Sequence, residues 1–227
     1  MALASIVFDF DGVVADSEIL SNQVFAEVFS AAGFPMTADD AVERYLGKRF
    51  ADCAVLVEQH YGRPVDPALD AAWREGVLAR LDSELGPVSG VGAFLDRLGD
   101  RRLAVASSSD PEWLHAMLAR FGLAHHFGEH VYSGAVHVER GKPHPDLYLH
   151  AARQIGAPPS SCLVIEDSPT GVEAGRRAGM RVIGLLAGGH GTPAHGKRLR
   201  AAGAQVIAHD YDEAASALAA FEEELSR

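Results

Sequence analysis

Short apolar segments alternate with helical stretches along most of the chain. Each apolar segment is four to six residues long and largely non-polar, as buried strands are when a sheet is covered on both faces. The expected strands are Ser5–Phe8, Leu103–Ser107, Cys162–Ile165, Arg181–Leu186 and Gln205–Ala208. This alternation predicts an α/β fold with a doubly wound, parallel, Rossmann-like sheet.

Local signals place some of the helices between these strands. Asp110 and Pro111 form a favourable cap and first-position pair, and Gly122 ends the helix that they begin. Thr170 is expected to cap a helix that runs toward Gly179. Glycines recur along this stretch at positions 171, 175 and 179, which favours close packing of a helix on the sheet over a dinucleotide-binding loop.

Residues 17–86 interrupt the alternation. Apolar positions between Val24 and Ala32 recur on one helical face that ends at Gly33, Thr37 and Asp40 have capping-box spacing, and Pro67 opens another helical stretch. The sequence therefore predicts a catalytic core formed by residues 1–16 and 87–227, with an all-helical cap, residues 17–86, inserted after the first strand. Such a cap would lie over the carboxyl edge of the sheet, exclude water there and select the substrate.

Composition and charge narrow the classes of function. The chain of 227 residues is 48% hydrophobic and 22% charged, which is typical of globular proteins. Cys53 and Cys162 form neither a disulfide framework nor a zinc-ligand pattern, and we see no signal peptide or membrane-spanning run, so a cytoplasmic location without membrane contact is expected. The net charge of −11 argues against a nucleic-acid partner but allows a small-molecule phosphate ester. The expected assembly is a monomer or a weak homodimer.

Acidic pairs follow two of the expected strands. Asp9 and Asp11 come directly after the first, and Glu166 and Asp167 come directly after the third. Asp and Gly are common where strands stop, but parallel strands bring their carboxyl ends to one edge, where clustered carboxylates repel each other unless a cation lies between them. Hard oxygen ligands of this kind suit Mg²⁺, which also binds phosphate.

Two further segments supply groups that a metal-bound phosphate needs. Ser107 ends the second strand and offers a hydroxyl and an amide, and Ser108 follows it. Lys142 stands between Gly141 and Pro143, so a single cation is held by a restricted backbone. Taken alone, a serine run is an ordinary loop and a lysine is an ordinary surface charge, but their order along the chain matches the acidic pairs.

The order of Asp9, Asp11, Ser107, Lys142 and Glu166–Asp167 resembles the four motifs of the haloacid dehalogenase superfamily, in the branch with a helical cap after the first motif. The resemblance implies that Asp9 is the nucleophile and Asp11 the general acid and base. It implies that Ser107, Ser108 and Lys142 bind the phosphoryl group. It also implies that Asp9, the main-chain carbonyl of Asp11, Glu166 and Asp167 bind Mg²⁺. The expected activity is hydrolysis of a sugar phosphate or phosphorylated sugar acid through an aspartyl-phosphate.

Other functions of the same fold stay open to different degrees. An alkoxide leaving group needs a proton, and Asp11 can donate it. The dehalogenase and phosphonate-cleaving branches of the family depart from aspartate at this position, so the resemblance disfavours both. A sugar phosphomutase shares all four motifs, but Ser21 and Asp110 stand where such mutases often carry a histidine and a basic residue. A non-catalytic binding module is the third alternative, although none of Asp9, Lys142 and Asp167 is lost.

Two weaker signals lie in the expected cap and in a histidine-rich segment. Arg49, in Gly47–Lys48–Arg49, resembles the cap loop that faces substrate in relatives, and it is the candidate to bind a substrate carboxylate or second phosphate, with an exposed cation at a helix start as the alternative. His125, His126 and His130 lie close together in sequence. Because no matching metal ligands accompany them in the sequence, we interpret them as a solvated histidine-rich turn.

Overall fold

A six-stranded, wholly parallel sheet organises the chain. The computed structural model describes residues 3, 5–45, 50–189 and 191–226, with the side chains of residues 82 and 226 excepted. The strands are β1 (Ser5–Phe8), β2 (Arg102–Ser107), β3 (Val131–Ser133), β4 (Cys162–Glu166), β5 (Arg181–Leu185) and β6 (Val206–Ala208). Their spatial order is β3-β2-β1-β4-β5-β6. This order confirms the predicted doubly wound α/β fold and places its reversal point beside β1.

The strand β3 was not predicted. It has three residues and lies on the edge of the sheet, where it pairs with β2 through Val105, Ala106 and Ser107. A segment this short gives no apolar run or alternation that a sequence pattern can detect. The other five strands were predicted to within one residue at each end.

Helices outside the inserted segment cover the sheet. They are α5 (Val91–Arg97), α6 (Pro111–Arg120), α7 (Ala124–Phe127), α8 (Asp146–Gln154), α9 (Pro169–Arg177), α10 (Pro193–Ala202) and α11 (Tyr211–Ser226), with a 3₁₀ turn at Pro159–Ser161. On one face, Phe8 contacts Phe94 and Phe127 at ring-centroid distances of 6.2 and 5.7 Å. On the other, Val7, Val164 and Leu147 belong to a continuous buried cluster. Both faces of the sheet are therefore buried, as the apolar strands indicate.

The helix starts show one confirmed prediction and one wrong one. Asp110 accepts a hydrogen bond from the amide of Glu112 at 2.9 Å, as expected of a cap. Thr170, however, lies inside α9, and the cap is Ser168, whose hydroxyl accepts from the amide of Gly171 at 3.1 Å. The sequence Ser168-Pro169-Thr170 offers two hydroxyl residues, and the preference of proline for the first helical position decides between them.

The glycine spacing on α9 has two physical causes. A Cβ on Gly175 would lie 3.0 Å from Val182 and 3.3 Å from Val164, so this glycine permits close packing on the sheet, as predicted. Gly179 has open space around it but a φ of +78°, so it serves the left-handed turn after the helix. The prediction of a packing seam was therefore wrong for Gly179.

The inserted segment forms a helical unit with its own core. Its helices are α1 (Ser17–Ala31), α2 (Ala38–Tyr45), α3 (Phe50–Tyr61) and α4 (Ala68–Glu84). The predicted capping box is present, because the amide of Asp40 donates to the Thr37 hydroxyl at 3.1 Å and the amide of Thr37 donates to Asp40 at 2.9 Å. Phe25 stacks on Phe29 with a centroid distance of 4.1 Å inside a buried apolar cluster. This core confirms the helical insertion after the first strand.

The chain separates into two compact units. One comprises Met1–Ala15 with Pro87–Arg227, and the other comprises Asp16–Gly86. Among the described helices, none combines the length and apolar character that crossing a membrane requires.

Candidate active site

The loop after β1 carries Asp9 and Asp11 and is held by main-chain hydrogen bonds. The amide of Asp9 donates to the carbonyl of Ile165 on β4 at 3.0 Å, which fixes the first carboxylate beside the end of that strand. The carbonyl of Phe10 accepts from the amides of residues 14 and 15 at 2.7 and 2.9 Å. From α11, the buried Tyr211 hydroxyl donates to the carbonyl of Val13 at 2.7 Å. The loop is thus fixed by both backbone and side-chain contacts.

Lys142 bridges the ends of β1 and β4. Its ammonium group lies 2.5 Å from Asp9 Oδ1 and 2.7 Å from Glu166 Oε1. Only 6% of the lysine side chain is exposed, and its carboxylate partners are also buried. Asp146 at the start of α8 accepts two hydrogen bonds of 2.9 Å from Arg140, which ties down the loop that carries the lysine. The lone cation of the sequence motif is therefore a buried member of the site.

Glu166 accepts four hydrogen bonds. Lys142 and the Tyr148 hydroxyl donate to Oε1 at 2.7 and 2.9 Å. The amide and the hydroxyl of Ser168 donate to Oε2 at 2.7 and 2.9 Å. A carboxylate offers about four acceptor positions, so these four hydrogen bonds occupy all the acceptor positions of Glu166. Glu166 consequently fixes Lys142, and its role as a direct metal ligand stays a prediction.

Asp167 joins Asp9 and Glu166 in a buried acidic cluster. One carboxylate oxygen from each lies within 4.8 Å of the others, and all three residues are buried. The main-chain carbonyl of Asp167 accepts a hydrogen bond of 2.5 Å from Nε2 of the buried His195, and Nδ1 of that imidazole accepts from Arg198 at 2.9 Å. These two contacts define a neutral imidazole with its proton on Nε2.

Burial and mutual repulsion govern the charges of the cluster. Burial raises the pKa of Asp9 well above its usual value, the charge of Lys142 opposes this rise, and Glu166 and Asp167 add to it. Burial alone would lower the pKa of Lys142, but Asp9 and Glu166 raise it well above the ordinary value, so the lysine stays charged. Burial followed by Glu166 raises the pKa of Tyr148, which remains a neutral donor. The cluster therefore favours a further cation that would hold Asp9 ionised.

The serine loop after β2 contacts the second aspartate. Ser107 is buried, and its hydroxyl accepts from the amide of Ser109 at 3.0 Å. The Ser109 hydroxyl donates to Asp11 Oδ2 at 2.5 Å, and the Ser109 carbonyl accepts from Ser133 on β3 at 2.7 Å. Ser108 lies exposed at the same strand end. The strand that the sequence analysis missed thus supports the loop that orients Asp11.

The structure brings most of the predicted site residues to the carboxyl edge of the sheet. Asp9, Lys142, Glu166 and Asp167 form the buried cluster, and Asp11 lies beside the serine loop. Arg49, with the Gly47–Lys48–Arg49 segment, lies outside the described residues.

Four residues of the candidate active site were not predicted from the sequence. They are Ser109, Tyr148, Ser168 and His195. Ser168 is adjacent to the acidic pair, and its spacing to Gly171 gives a cap signal that could have been used. For Tyr148 and His195 the sequence offers no such signal, because both reach the site only through tertiary packing.

This fold with a carboxylate cluster at its reversal point defines a class of hydrolases, and comparison with known proteins identifies the family. The family model described as haloacid dehalogenase-like hydrolase matches residues 3–179. The chain belongs to this family and is a haloacid dehalogenase-like hydrolase.

Relatives of this chain include named phosphatases. Fructose-1-phosphate phosphatase YqaB of Escherichia coli K12 is 32% identical over 183 residues, which cover 79% of this chain and 95% of the relative. The 6-phosphogluconate phosphatase of the same organism is 26% identical over 192 residues, which cover 84% of this chain and 86% of the relative. A crystal structure of a HAD family hydrolase from Deinococcus radiodurans R1, with bound phosphate and sodium, has a TM-score of 0.85 and 32% identity, and the match covers 96% and 95% of the two chains.

Proposed function

We propose that this hydrolase is a magnesium-dependent phosphatase that hydrolyses a small sugar phosphate or phosphorylated sugar acid through an aspartyl-phosphate on Asp9. The observation that carries the proposal is the position of Lys142, whose ammonium group is shared between the carboxylates of Asp9 and Glu166 in a buried cluster. Named relatives that act on a sugar phosphate and on a phosphorylated sugar acid support the class of substrate.

The charges of the cluster fit a divalent cation. Three carboxylates and one ammonium group are buried together, and burial raises the pKa of Asp9 against the opposing charge of Lys142, with Glu166 and Asp167 adding to the rise. Oxygen-only donors are what Mg²⁺ prefers, and it is commonly shared with phosphate oxygens. Asp9, Asp167 and the main-chain carbonyl of Asp11 would hold the ion, with Glu166 as the further predicted ligand. When bound, Mg²⁺ supplies positive charge to the phosphoryl oxygens and keeps Asp9 ionised.

The residues of the chain then divide the reaction between them. The Asp9 carboxylate attacks phosphorus and forms the acyl-phosphate, while Asp11 donates a proton to the departing alkoxide oxygen. Lys142, Ser107 and Ser108 donate hydrogen bonds to the phosphoryl oxygens. In the second step, Asp11 takes a proton from water, which attacks phosphorus and releases phosphate from Asp9. Two lower barriers replace one that is among the highest for uncatalysed biological reactions.

We assign the two compact units to a catalytic core and a cap. The core would carry the four motifs, and the helical cap would select the substrate. Arg49 is the proposed residue of the cap for a substrate carboxylate or second phosphate, because a guanidinium binds such groups with two parallel hydrogen bonds. We place the enzyme in the cytoplasm, in keeping with its two buried cysteines, which are not joined in a disulfide.

A panel of phosphate esters tests the proposal. We expect release of inorganic phosphate from sugar phosphates and phosphorylated sugar acids in the presence of Mg²⁺, and loss of this release with EDTA or with Asp9→Asn. Turnover by Asp9→Asn at the rate of the unmodified enzyme would overturn the covalent mechanism. No Mg²⁺-dependent turnover on any ester would favour a binding module on the same fold.

The same panel separates hydrolysis from transfer between sugar positions. Hexose 1-phosphates and 6-phosphates are incubated with the enzyme, and sugar products are compared with released phosphate. We expect phosphate release to be the faster process, because Asp110 stands where many mutases carry a basic residue. Faster interconversion of the two sugar phosphates would show a phosphomutase instead.

A further inference from the structure

Asp96, His125 and His126 form a second cluster of metal-ligating side chains. The two histidines are consecutive residues of α7, and Asp96 belongs to α5. One ligand atom from each lies within 4.8 Å of the others, and the two imidazole centroids are 3.9 Å apart. The turn that seemed in sequence to lack a matching ligand therefore has one, supplied from a helix almost thirty residues earlier.

The geometry between His126 and Asp96 suits a shared ion better than a direct hydrogen bond. The distance from His126 Nε2 to Asp96 Oδ1 is 3.4 Å. Good hydrogen bonds between nitrogen and oxygen are shorter, about 2.7–3.2 Å. Two ligands that each lie about 2.0–2.2 Å from a tetrahedral metal are roughly 3.3–3.5 Å apart.

The exposure of His126 and of Asp96 also suits a metal. The His126 side chain is only 13% exposed and is thus fixed, whereas Asp96 is 73% exposed and can adjust its rotamer. A fixed ligand with an adjustable partner needs little reorganisation to bind an ion.

We infer that Asp96, His125 and His126 form a second metal site, which binds a divalent transition metal of the Zn²⁺ class through two imidazoles and one carboxylate. Nitrogen ligands distinguish this set from the all-oxygen cluster at the sheet edge, because imidazole suits Zn²⁺, Co²⁺ and Ni²⁺ and carboxylate oxygens suit Mg²⁺. Water completes the coordination, since the three side chains leave at least one position open.

Such an ion would join the two helices that pack on the strand before Asp9. Phe94 of α5 and Phe127 of α7 both contact Phe8, the residue that directly precedes the proposed nucleophile. A metal cross-link between these helices stabilises the folded state because it binds the folded arrangement in preference to the unfolded chain. The inferred effect is therefore on stability, and the chemistry at Asp9 does not depend on it.

Zinc titration of the EDTA-treated full-length protein tests the inference. Isothermal titration calorimetry is carried out with excess Mg²⁺ in an Asp167→Asn background, which weakens the carboxylate cluster as a competing site. The variants are His126→Gln, His125→Gln and Asp96→Asn, and the matched control is His115→Gln, an exposed histidine on α6. His125 and Asp96 are exposed, so their variants keep the fold even where His126→Gln does not.

We expect each of the three variants to weaken zinc binding by tenfold or more and the control to leave it unchanged. Zinc should also raise the unfolding temperature of the protein, and this rise should disappear in the three variants. Weakening by less than tenfold, or by the same factor in His115→Gln, would overturn the inference. In the native background, His125→Gln should keep its Mg²⁺-dependent phosphatase activity, so failure of the second site is distinguishable from failure of the proposed function.

Discussion

Lys142 shows how a single residue acquires its role from its surroundings. The side chain lies among carboxylates, and the neighbouring charges raise its pKa although burial opposes this. A buried charge that loses its partners is strongly destabilising, so the carboxylates and the ammonium group depend on each other for folding as well as for chemistry. The same contacts leave the ammonium group beside Asp9, where the phosphoryl group is expected.

Asp11→Asn tests the proton transfers at the residue scale. An amide cannot donate the proton that a sugar alkoxide needs, so formation of phosphoenzyme from a sugar phosphate should fall by about 10²–10⁴-fold. With an activated aryl phosphate the same step should fall by about tenfold or less, because its leaving group needs little protonation. Rapid-quench measurement of the burst, with mass spectrometry of Asp9, checks both.

The aryl substrate should also trap the intermediate. Since water would lack its general base, phosphate on Asp9 should accumulate as a base-labile mass increase. The variant retains the main-chain carbonyl of Asp11, so Mg²⁺ affinity serves as the internal control and should change little. Equal losses with both leaving groups and no trapped phosphoenzyme would leave Asp11 with a structural role only.

At the scale of elements, α9 and α10 position the carboxylates that end β4. The first turn of α9 approaches Glu166 so closely that a Cβ on Gly171 would lie 1.5 Å from Oε1. From the first turn of α10, His195 supports the main-chain carbonyl of Asp167. Each helix thus supports one member of the acidic pair.

Gly171→Ala should displace Glu166 and, through it, Lys142. Overpacking of this kind costs about 1–3 kcal/mol in folding stability. A displacement of about 1 Å in the site can lower kcat by about a hundredfold. Denaturant unfolding and steady-state kinetics check the two effects.

The matched control is Gly92→Ala on α5, where the new Cβ meets only Leu123 at 3.7 Å, and stability should be unchanged or slightly higher. Full activity of Gly171→Ala would contradict the role assigned to Glu166.

His195→Ala should weaken Mg²⁺ binding by about 10–100-fold, the range found when a group that orients a metal ligand is removed. The reason is that the Asp167 carbonyl loses its donor, so the carboxylate on the same residue is less well placed. Calorimetric titration with Mg²⁺ measures this without relying on turnover. His195→Gln retains an N–H donor and should recover part of the affinity. The same deficit in both variants would indicate that only the packing of the imidazole matters.

At the scale of the whole molecule, the acidic cluster couples stability to pH and to metal. The raised pKa of Asp9 means that the metal-free folded state holds this proton more tightly than the unfolded chain, whose value is about 3.9. Its contribution to stability is therefore complete below the unfolded pKa and is lost as pH rises through the folded pKa. Mg²⁺ binding should restore the loss, because the ion binds the folded state.

Asp9→Asn should make the metal-free protein more stable at neutral pH. The expected gain is about 1 kcal/mol, or roughly 2–4 °C in Tm for a chain of this size. The Tm difference between variant and wild type should grow as pH rises from about 4, because only the wild type has the Asp9 carboxyl to ionise. Added Mg²⁺ should raise the Tm of the wild type more than that of the variant. A variant that is less stable throughout this range would show that the contact with Lys142 outweighs the repulsion.

The sequence alone determined the fold class, the inserted helical unit and the residues that form the main cluster. Buried parallel strands need continuous apolar runs, and their carboxyl ends share one edge, so Asp9, Glu166 and Asp167 could be expected to meet before any coordinates were known. The capping box of Thr37 and Asp40 could equally be predicted from the sequence, because it depends only on residues that are close in sequence.

Only the tertiary structure decided the contacts between segments that are distant in sequence. The edge strand β3 is too short for a periodic signal, and its support of Ser109 depends on pairing with β2. Tyr148 and His195 look like ordinary helical residues until packing brings them to the acidic pair. Asp96 meets His126 because α5 and α7 each place a ring against Phe8. These contacts depend on how distant segments pack in three dimensions, and no local sequence pattern encodes that packing.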